Sequence, residues 1–329
     1  MRVTRDRIGM QFGAFVPQGW KMDLVGIPEP EQWPTMLAVA RRIEDRGYDT
    51  VWVYDHFHTV PEASQEPTFE CWTVMAALAA VTQRVRLGQM CTCNSYRQPS
   101  YMAKVASTVD VISGGRLEFA IGAGWYEEEY LAYGYEFPKG STRIRQLDEA
   151  VQIIKKMWTE DQATFDGKHY SIKGAINRPR PLQRPYPPLW IAGSGPEMTL
   201  KVVAKHADYA NYAGSIERFR ENGVILDAHC AKIGRDPAEI GRTTHLEIMV
   251  AKDEASLKKA AVRAAEQRGR PVDKWLESTL TLAGTTQQVV EALGEFKDEG
   301  CAHVIGYFPD AAWGDSIELF ATEVMPALK

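Results

Sequence analysis

Residues 51–57 read VWVYDHF, an apolar run that ends in an acidic residue and an imidazole. Short runs of wholly apolar, β-branched residues are typical of strands buried on both faces of a parallel sheet. The same kind of run recurs along the chain and is followed each time by a longer amphipathic segment. This pattern predicts eight strands, at residues 8–16, 50–54, 85–90, 116–121, 188–192, 208–212, 244–251 and 302–307.

The amphipathic segments predict helices between these strands, because apolar side chains repeat in them every three or four positions. Helices are predicted at residues 32–46, 69–80, 99–112, 143–158, 197–204, 217–233, 254–266 and 287–299, and from residue 315 onward. Eight strand-helix units predict a (β/α)8 TIM barrel, an α/β fold, as a single domain over residues 1–329. The alternative is an open doubly wound sheet, whose first turn normally carries a glycine fingerprint. Residues 17–30 show no such spacing.

The composition excludes several classes of partner. The 329 residues carry a net charge of −5, whereas nucleic-acid-binding proteins usually show a clustered basic excess. The five cysteines are odd in number and lack the spacing of zinc or redox sites, which predicts free thiols and no metal site. No secretory signal and no apolar run of about 18 residues occurs. We therefore expect a cytoplasmic protein with no nucleic-acid partner and no membrane association.

Two segments, residues 125–142 and 161–187, interrupt the alternation of strands and helices. The second contains Asp166-Gly167-Lys168 between short aromatic stretches, which predicts a small hairpin, and then a proline-rich stretch. Insertions of this length in a compact domain are usually functional or disordered. We expect both to lie at the C-terminal mouth of the barrel, with the far end of the second folded over it.

Catalytic groups of a TIM barrel come from the C-terminal ends of its strands. The predicted strand ends bring four clusters to one face, at residues 55–56, 90–92, 122–125 and 193–196. His56 is the strongest catalytic candidate, because an imidazole can donate or shuttle a proton near neutral pH. A structural histidine that caps the loop is the alternative. Asp55 should point to the opposite side of the strand, so we expect it to bind a ligand or a loop backbone rather than His56.

The other clusters have a physical interpretation as well. Backbone N–H groups of the glycine turn at residues 193–196 are suited to bind an anion such as phosphate, although a tight connection is the simpler alternative. Gly122 and Gly124 allow a flat ligand or another backbone to approach closely. The run Glu127-Glu128-Glu129 is most simply a solvated helix face, and the alternative is that Glu128 or Glu129 turns inward. The remaining histidines stand at spacings that do not suit a metal.

Taken together, the clusters resemble the luciferase-like monooxygenase superfamily, and within it the branch that uses the deazaflavin coenzyme F420. The motifs that carry the resemblance occur in the order DHF (55–57), LGQMCT (87–92), YRQP (96–99), DVISGGRLEFAIGAGW (110–125), FP (137–138) with Arg143, IAGSGP (191–196) and LAGT (282–285). The resemblance implies a TIM barrel that binds F420 at its mouth. FMN is the alternative cofactor.

The resemblance also implies roles for individual residues. His56 matches a histidine near the reactive face of the ring, and Asp55 an acid at the edge of the ring. Met90 and Cys91 match a strand bulge that often contains a non-proline cis peptide. Ser194 and Gly195 match the turn that holds the cofactor phosphate. The complete predicted cofactor-binding set is Asp55, Met90, Cys91, Gly122, Gly124, Glu128, Gly193, Ser194, Gly195 and Pro196.

One position departs from the family pattern. Sugar-phosphate dehydrogenases of this branch carry a glutamate directly after the glycines of strand four, and here that residue is Trp125. We therefore expect an apolar or aromatic substrate pocket, formed by Trp20, Phe57, His58 and Trp125. The predicted reaction is hydride transfer between C5 of F420 and a small organic substrate. The alternatives are an FMN-dependent monooxygenase and a non-catalytic flavin-binding protein, and the resemblance implies a homodimer.

Overall fold

The computed structural model describes residues 9–269 and 271–329 and contains a closed barrel of parallel strands. In chain order, the strands inside and outside the barrel are β1 (Gln11–Phe15), β2 (Thr50–Val53), β3 (Arg86–Gln89), β4 (Thr92–Cys93), β5 (Leu117–Gly122), β6 (Ala163–Asp166), β7 (Ser171–Ala175), β8 (Leu189–Ala192), β9 (Tyr209–Ala213), β10 (Gly241–Ala251), β11 (Thr281–Thr285) and β12 (Cys301–Tyr307). Neighbours around the barrel are β1, β2, β3, β5, β8, β9, β10 and β12, and β12 closes onto β1. The predicted (β/α)8 fold is therefore confirmed.

Helices surround the barrel. They are α1 (Glu29–Asp45), α2 (Cys71–Val81), α3 (Pro99–Ile112), α4 (Glu127–Ala132), α5 (Gly140–Thr159), α6 (Thr199–His206), α7 (Ile216–Lys232), α8 (Glu254–Gln267), α9 (Val272–Leu276), α10 (Thr286–Asp298), α11 (Ser316–Leu319) and α12 (Met325–Leu328), with a π-helical turn (Phe320–Val324) between the last two. The sequence did not predict α9, β4 or β11, and it predicted α4 only as a helix face at residues 127–129, without bounds. None of the helices in the described ranges is long and apolar enough to cross a membrane.

Aromatic side chains fill the interior of the barrel. Trp52 from β2 meets Trp190 from β8 edge to face, with 5.0 Å between ring centroids, and Trp190 stacks on Tyr209 at 4.3 Å. All three are buried. The opposite faces of the strands pack against the helices in a larger apolar core. Because both faces of the sheet are covered, β2 and β8 are apolar at almost every position.

Gly88 in β3 leaves room for the indole of Trp52, because a Cβ atom at this position would overlap the indole ring. We expect Gly88→Ala to lower the free energy of unfolding by about 1–3 kcal/mol, as overpacked cores do; urea denaturation measures the change. Gly294→Ala in α10 is the matched control, because its Cβ meets no atom within 4 Å. The control should be neutral, or more stable by up to about 1 kcal/mol. Equal stability of the two variants would contradict the packing argument.

The two insertions lie in different places. Residues 125–142 lie at the mouth of the barrel and contain α4. In residues 161–187 the predicted hairpin is present as β6 and β7, but its far end does not cover the mouth. The side-chain amide of Gln183 donates to the Leu117 carbonyl at 2.7 Å, and its oxygen accepts from Arg86 at 2.7 Å. Both partners lie at the N-terminal ends of their strands, because this segment must deliver the chain to the start of β8.

Candidate active site

A cavity of about 380 Å³ opens at the C-terminal ends of the strands. It is lined by the ends of β2, β3, β5 and β8, so the structure brings the four predicted clusters together. The predicted residues among those that line it are Trp20, Asp55, His56, Met90, Cys91, Gly122, Gly124, Trp125, Gly193, Ser194 and Gly195. Four predicted residues, Phe57, His58, Glu128 and Pro196, lie outside it. The roles assigned to the lining residues stay predictions.

His56 is held in one orientation at the edge of the cavity. Its Nδ1 atom lies 2.9 Å from Oε2 of Glu129, and its ring stacks on the indole of Trp20 with a centroid distance of 4.1 Å. A carboxylate only accepts hydrogen bonds, so Nδ1 carries the proton. This leaves Nε2, which has no hydrogen-bond partner among the described residues, as the nitrogen able to accept a proton.

Glu129 binds both the side chain of His56 and the loop that follows it. The Glu129 side chain is fully buried and accepts hydrogen bonds from the Tyr96 hydroxyl at 2.6 Å and from the backbone N–H groups of Phe57 and His58. Burial alone would raise the pKa of Glu129, but the hydrogen bonds from His56, Tyr96 and Phe57 lower it below its usual value. Glu129 is therefore a carboxylate at neutral pH.

The inward-facing glutamate is Glu129, and the choice of Glu128 as a cofactor contact is not supported by its position. Glu128 is exposed, and its carboxylate accepts from the Tyr126 hydroxyl at 3.3 Å. Consecutive helical residues point about 100° apart, so one residue of the acidic run faces the site while its neighbour faces solvent. The sequence contained the right run, but α4 is too short to show which of its faces is buried.

Asp55 stabilises the loop after β3. Its buried carboxylate forms a bidentate ion pair with Arg97, at 2.7 and 2.9 Å, and accepts from the backbone N–H of Cys93 at 2.8 Å. Arg97 also pairs with Glu70 at 2.7 Å. Asp55 thus binds a loop backbone and does not contact His56. Both features were predicted from the strand geometry. Arg97, part of the YRQP motif, was not singled out as its partner.

The peptide bond between Met90 and Cys91 is cis, as the resemblance implied. Cys91 lies against β5, because a Cβ atom placed on Gly122 would be 2.6 Å from its Sγ. Burial raises the pKa of the Cys91 thiol well above its usual value, so the thiol stays neutral. Cys91 therefore contributes packing to the cavity wall and no thiolate nucleophile.

The glycine turn after β8 is placed as predicted except at its end. Gly193, Ser194 and Gly195 line the cavity, with Gly193 at a φ of 126°. Pro196 is exposed and is not part of the cavity lining, and its carbonyl accepts from His229 at 2.7 Å. The predicted helix at residue 197 begins two residues later, as α6 at Thr199. Pro196 consequently begins a turn and not a helix, which places it outside the site.

Phe57 and His58 were predicted to line a substrate pocket and do not. The ring of Phe57 packs against Tyr96 and Tyr133, with centroid distances of 4.6 and 4.4 Å, and the ring of His58 lies 5.3 Å from Tyr133. The strand ends at Val53, so the alternation of a strand no longer determines where the following side chains point. Trp20 and Trp125 do line the cavity.

Two polar residues to which the sequence analysis assigned no role lie in the cavity wall. His245 in β10 has its Nδ1 atom 2.7 Å from the side-chain oxygen of Asn211. Burial lowers the pKa of His245 to about 4, so it is neutral at physiological pH. Arg143 at the start of α5 adds a cation to the wall and donates to the Gly124 carbonyl at 3.3 Å. The first residues of α5 thus belong to the site.

Comparisons with known proteins agree with this architecture. The family model described as luciferase-like monooxygenase matches residues 10–303. An F420-dependent glucose-6-phosphate dehydrogenase of Amycolatopsis mediterranei (strain U-32) is 26% identical over 89% of this chain and 94% of that protein. An FMNH(2)-dependent dimethylsulfone monooxygenase of Pseudomonas putida is 25% identical over 79% of this chain and 78% of that protein.

Among solved structures, an F420-dependent secondary alcohol dehydrogenase in complex with an F420-acetone adduct has the same fold, with a TM-score of 0.80 and 22% identity. The match covers 98% of this chain and 100% of that one. The family match extends from the first barrel strand into the last. The chain belongs to the luciferase-like monooxygenase family.

Proposed function

We propose that this protein is an F420-dependent oxidoreductase that transfers a hydride between C5 of the deazaflavin and a small, largely apolar organic substrate. One observation carries the proposal. A buried carboxylate, Glu129, fixes the imidazole of His56 at the edge of a cavity that is lined in part by the glycine turns at residues 122–124 and 193–195. Relatives whose names specify F420 align over almost the whole chain, which supports F420 as the cofactor.

The residues of the cavity fit a cofactor with a flat ring and an anionic tail. Gly122 gives the ring a flat wall next to Cys91, because a Cβ atom there would displace the sulfur. Elsewhere in the lining, the backbone of Gly193–Gly195, the Ser194 hydroxyl and the Arg143 cation suit phosphate oxygens. Thr199 lies close behind this turn, since a Cβ atom on Gly195 would come within 2.7 Å of its hydroxyl.

The side chains around the ring would move a proton and exclude water. Bound F420 would supply the carbon that carries the hydride. His56 Nε2 can accept the proton of a substrate hydroxyl, or return it to a carbonyl oxygen as charge develops there. Glu129 opposes the positive charge that His56 gains when it takes that proton. Trp20 keeps the imidazole ring of His56 parallel to its own indole ring through their stacking contact.

A titration of the purified apoprotein with F420 and with FMN tests this proposal. We expect F420 to bind at least about 100-fold more tightly than FMN, a difference of about 2.7 kcal/mol. Absorbance and fluorescence of each cofactor give the two dissociation constants. The FMN-dependent relative keeps an FMN-dependent monooxygenase as the second candidate. Tight FMN binding without F420 binding would establish that candidate in place of ours.

A non-catalytic flavin-binding protein is the least supported alternative. It would gain support if residues 161–187 buried His56 and Ser194 and left no space for a substrate beside the ring. None of the described residues that line the cavity comes from that segment. The cavity is open at the mouth of the barrel beside His56, as an enzyme requires.

The family resemblance supports the quaternary state, and the five cysteines without the spacing of zinc or redox sites support the location. We propose a homodimer that works in the cytoplasm. Sedimentation velocity on the purified protein checks the dimer, and a single species at the monomer mass of 36.9 kDa would contradict it.

Gly122→Ala tests the close approach of the cofactor to β5. The new Cβ would push the Cys91 sulfur into the cavity, and we expect the F420 dissociation constant to rise about tenfold, which corresponds to about 1.4 kcal/mol. Adding Cys91→Ala removes the clash and should restore most of the affinity, so the two changes are non-additive. Equal losses in the single and double variants would show that the sulfur contact is not the cause.

A further inference from the structure

The cavity of the candidate active site has His245 on the wall opposite Cys91, and both residues line it. Strand β10, which contains His245, and strand β3, which Cys91 follows, are four strands apart in either direction around the eight-stranded barrel. The proposed function has the cofactor ring against Cys91 and Gly122. A substrate that reacts at the free face of that ring therefore lies on the His245 side of the cavity.

The tautomer of His245 is determined by a chain of hydrogen bonds that starts at the backbone. The Thr243 hydroxyl donates to the Ala210 carbonyl at 2.9 Å, so its oxygen is left to accept from the side-chain amide of Asn211 at 3.0 Å. This contact orients the amide, whose oxygen lies 2.7 Å from Nδ1 of His245. An amide oxygen only accepts hydrogen bonds, so Nδ1 carries the proton.

Nε2 of His245 is consequently a hydrogen-bond acceptor at the cavity wall. Burial and the Lys21 cation lower the pKa of the imidazole to about 4, so the ring is neutral at pH 7. The side chain is partly accessible and borders the cavity. Nε2 has no hydrogen-bond partner among residues 9–269 and 271–329. A neutral imidazole with its proton on Nδ1 can accept a hydrogen bond at Nε2 and cannot donate one there.

A fixed acceptor of this kind selects ligands by their donor groups. Thr243 and Asn211 are buried, so the chain that orients His245 cannot rearrange without breaking hydrogen bonds in the core. Such a site rejects an analogue that lacks the donor, because the acceptor would be left unpaired. In the proposed reaction His56 acts on the reacting oxygen, which leaves His245 for a second polar group of the substrate.

We propose that His245 is a specificity-determining residue, and that its Nε2 atom accepts a hydrogen bond from a hydroxyl or amide N–H group of the substrate, separate from the oxygen on which His56 acts. Asn211 is the positioning residue that keeps this acceptor free. The inference rests on the proposed function in one respect, namely that the cofactor ring lies on the Cys91 side. The substrate is then a largely apolar molecule with one additional donor group.

Phenol and fluorobenzene test the inference, because they have nearly the same shape and only phenol has a donor. Each is titrated by calorimetry into the full-length protein loaded with F420, and soaked into its crystals. We expect phenol to bind about fivefold more tightly than fluorobenzene, with its oxygen at hydrogen-bond distance from Nε2 of His245. Equal binding of the two, or phenol that donates to His56 instead, would overturn the inference.

His245→Phe keeps an aromatic ring and removes the acceptor, so phenol should lose its fivefold advantage over fluorobenzene. His206→Phe is the matched control, because His206 pairs with Asp148 between α6 and α5 and is not part of the cavity lining. The control should keep the ratio of the two affinities. An unchanged ratio in His245→Phe would contradict the role of His245.

NMR provides a test that needs no substitution of His245. The ¹⁵N spectrum of the protein with labelled histidine should show His245 as the Nδ1–H tautomer, and an Nε2–H tautomer would overturn the proposal. Asn211→Leu removes the acceptor for the Nδ1 proton with little change of shape. We expect it to move His245 toward the Nε2–H tautomer and to abolish the preference for phenol. A tautomer that stays at Nδ1 would overturn the positioning role of Asn211.

The same samples separate this inference from the proposed function. F420 is titrated into the apoprotein first, and phenol is titrated before and after F420 is added. Phenol bound at Nε2 of His245 in a protein that does not bind F420 would contradict the proposed function and support the acceptor role of His245. Tight F420 binding after which phenol no longer reaches His245 would support the function and overturn the inference.

Discussion

Replacing His56 with alanine lowers kcat by about 10²- to 10⁴-fold, the usual contribution of a positioned general acid or base. The loss falls on the chemical step, because His56 Nε2 lies at the edge of the cavity and has no hydrogen-bond partner among the described residues. Its lone pair can therefore accept the substrate proton. The F420 dissociation constant should change little, because the glycine turns and Arg143 carry most of the proposed cofactor contacts. Pre-steady-state absorbance at the cofactor band, together with a cofactor titration, measures both quantities.

His58→Ala is the matched control for this experiment. It removes the same side chain two residues away, from a position that packs on Tyr133 outside the cavity. Its turnover should stay close to that of the unchanged protein. An unchanged rate in His56→Ala would remove this histidine from the mechanism, and an equal loss in both variants would point to a disturbed loop.

The barrel was predictable because strands that are buried on both faces appear in the sequence as continuous apolar runs. Strands such as 50–54 and 188–192 are covered on both faces, so every position except Thr50 is apolar and the run is visible in the sequence alone. Short helices and half-buried strands are not visible in this way. Helix α4 has six residues, which is too few for a helical period to stand out, and β11 has one buried residue among its five, so it is not a continuous apolar run.

The strand ends of the site were predictable for the same reason, and the residues just beyond them were not. Phe57 follows His56 directly, yet its backbone N–H binds Glu129 and its ring turns into an aromatic cluster. Pro196 is the last residue of a correctly predicted turn, but α6 begins only three residues after it, at Thr199. In both places the chain has left the strand, and tertiary contacts that no local pattern encodes determine the direction of the side chain.

Glu129 shows most clearly what the sequence could not provide. It lies 73 residues from His56 along the chain, and its selection from three consecutive glutamates depends on how α4 enters the barrel mouth. Once placed, this carboxylate joins the loop after β2, the Tyr96 hydroxyl after β4 and the segment after β5. The orientation of His56 is therefore determined jointly by three strand ends.

Glu129→Gln should lower kcat/KM by about 10- to 100-fold, as for other histidines that lose an orienting carboxylate. An amide presents a donor as well as an acceptor, so the His56 proton is no longer confined to Nδ1. We expect ¹⁵N NMR of labelled histidine to show His56 moving from the Nδ1–H tautomer toward the Nε2–H tautomer. Glu128→Gln, one residue away and exposed, should change neither the rate nor the tautomer.

Stability should follow pH in a way that tests the same contacts. The folded state lowers the pKa of Glu129 below its usual value of 4.5, so its carboxylate stabilises the fold above that pH and the stabilisation is lost as pH falls through the lowered pKa. The free energy of unfolding of Glu129→Gln should therefore be about 1–3 kcal/mol below that of the unchanged protein at pH 7. The difference should shrink in acid. A difference that stays constant from pH 7 to pH 3 would show that Glu129 stabilises the site by shape alone, and a tautomer that stays at Nδ1 would remove its orienting role.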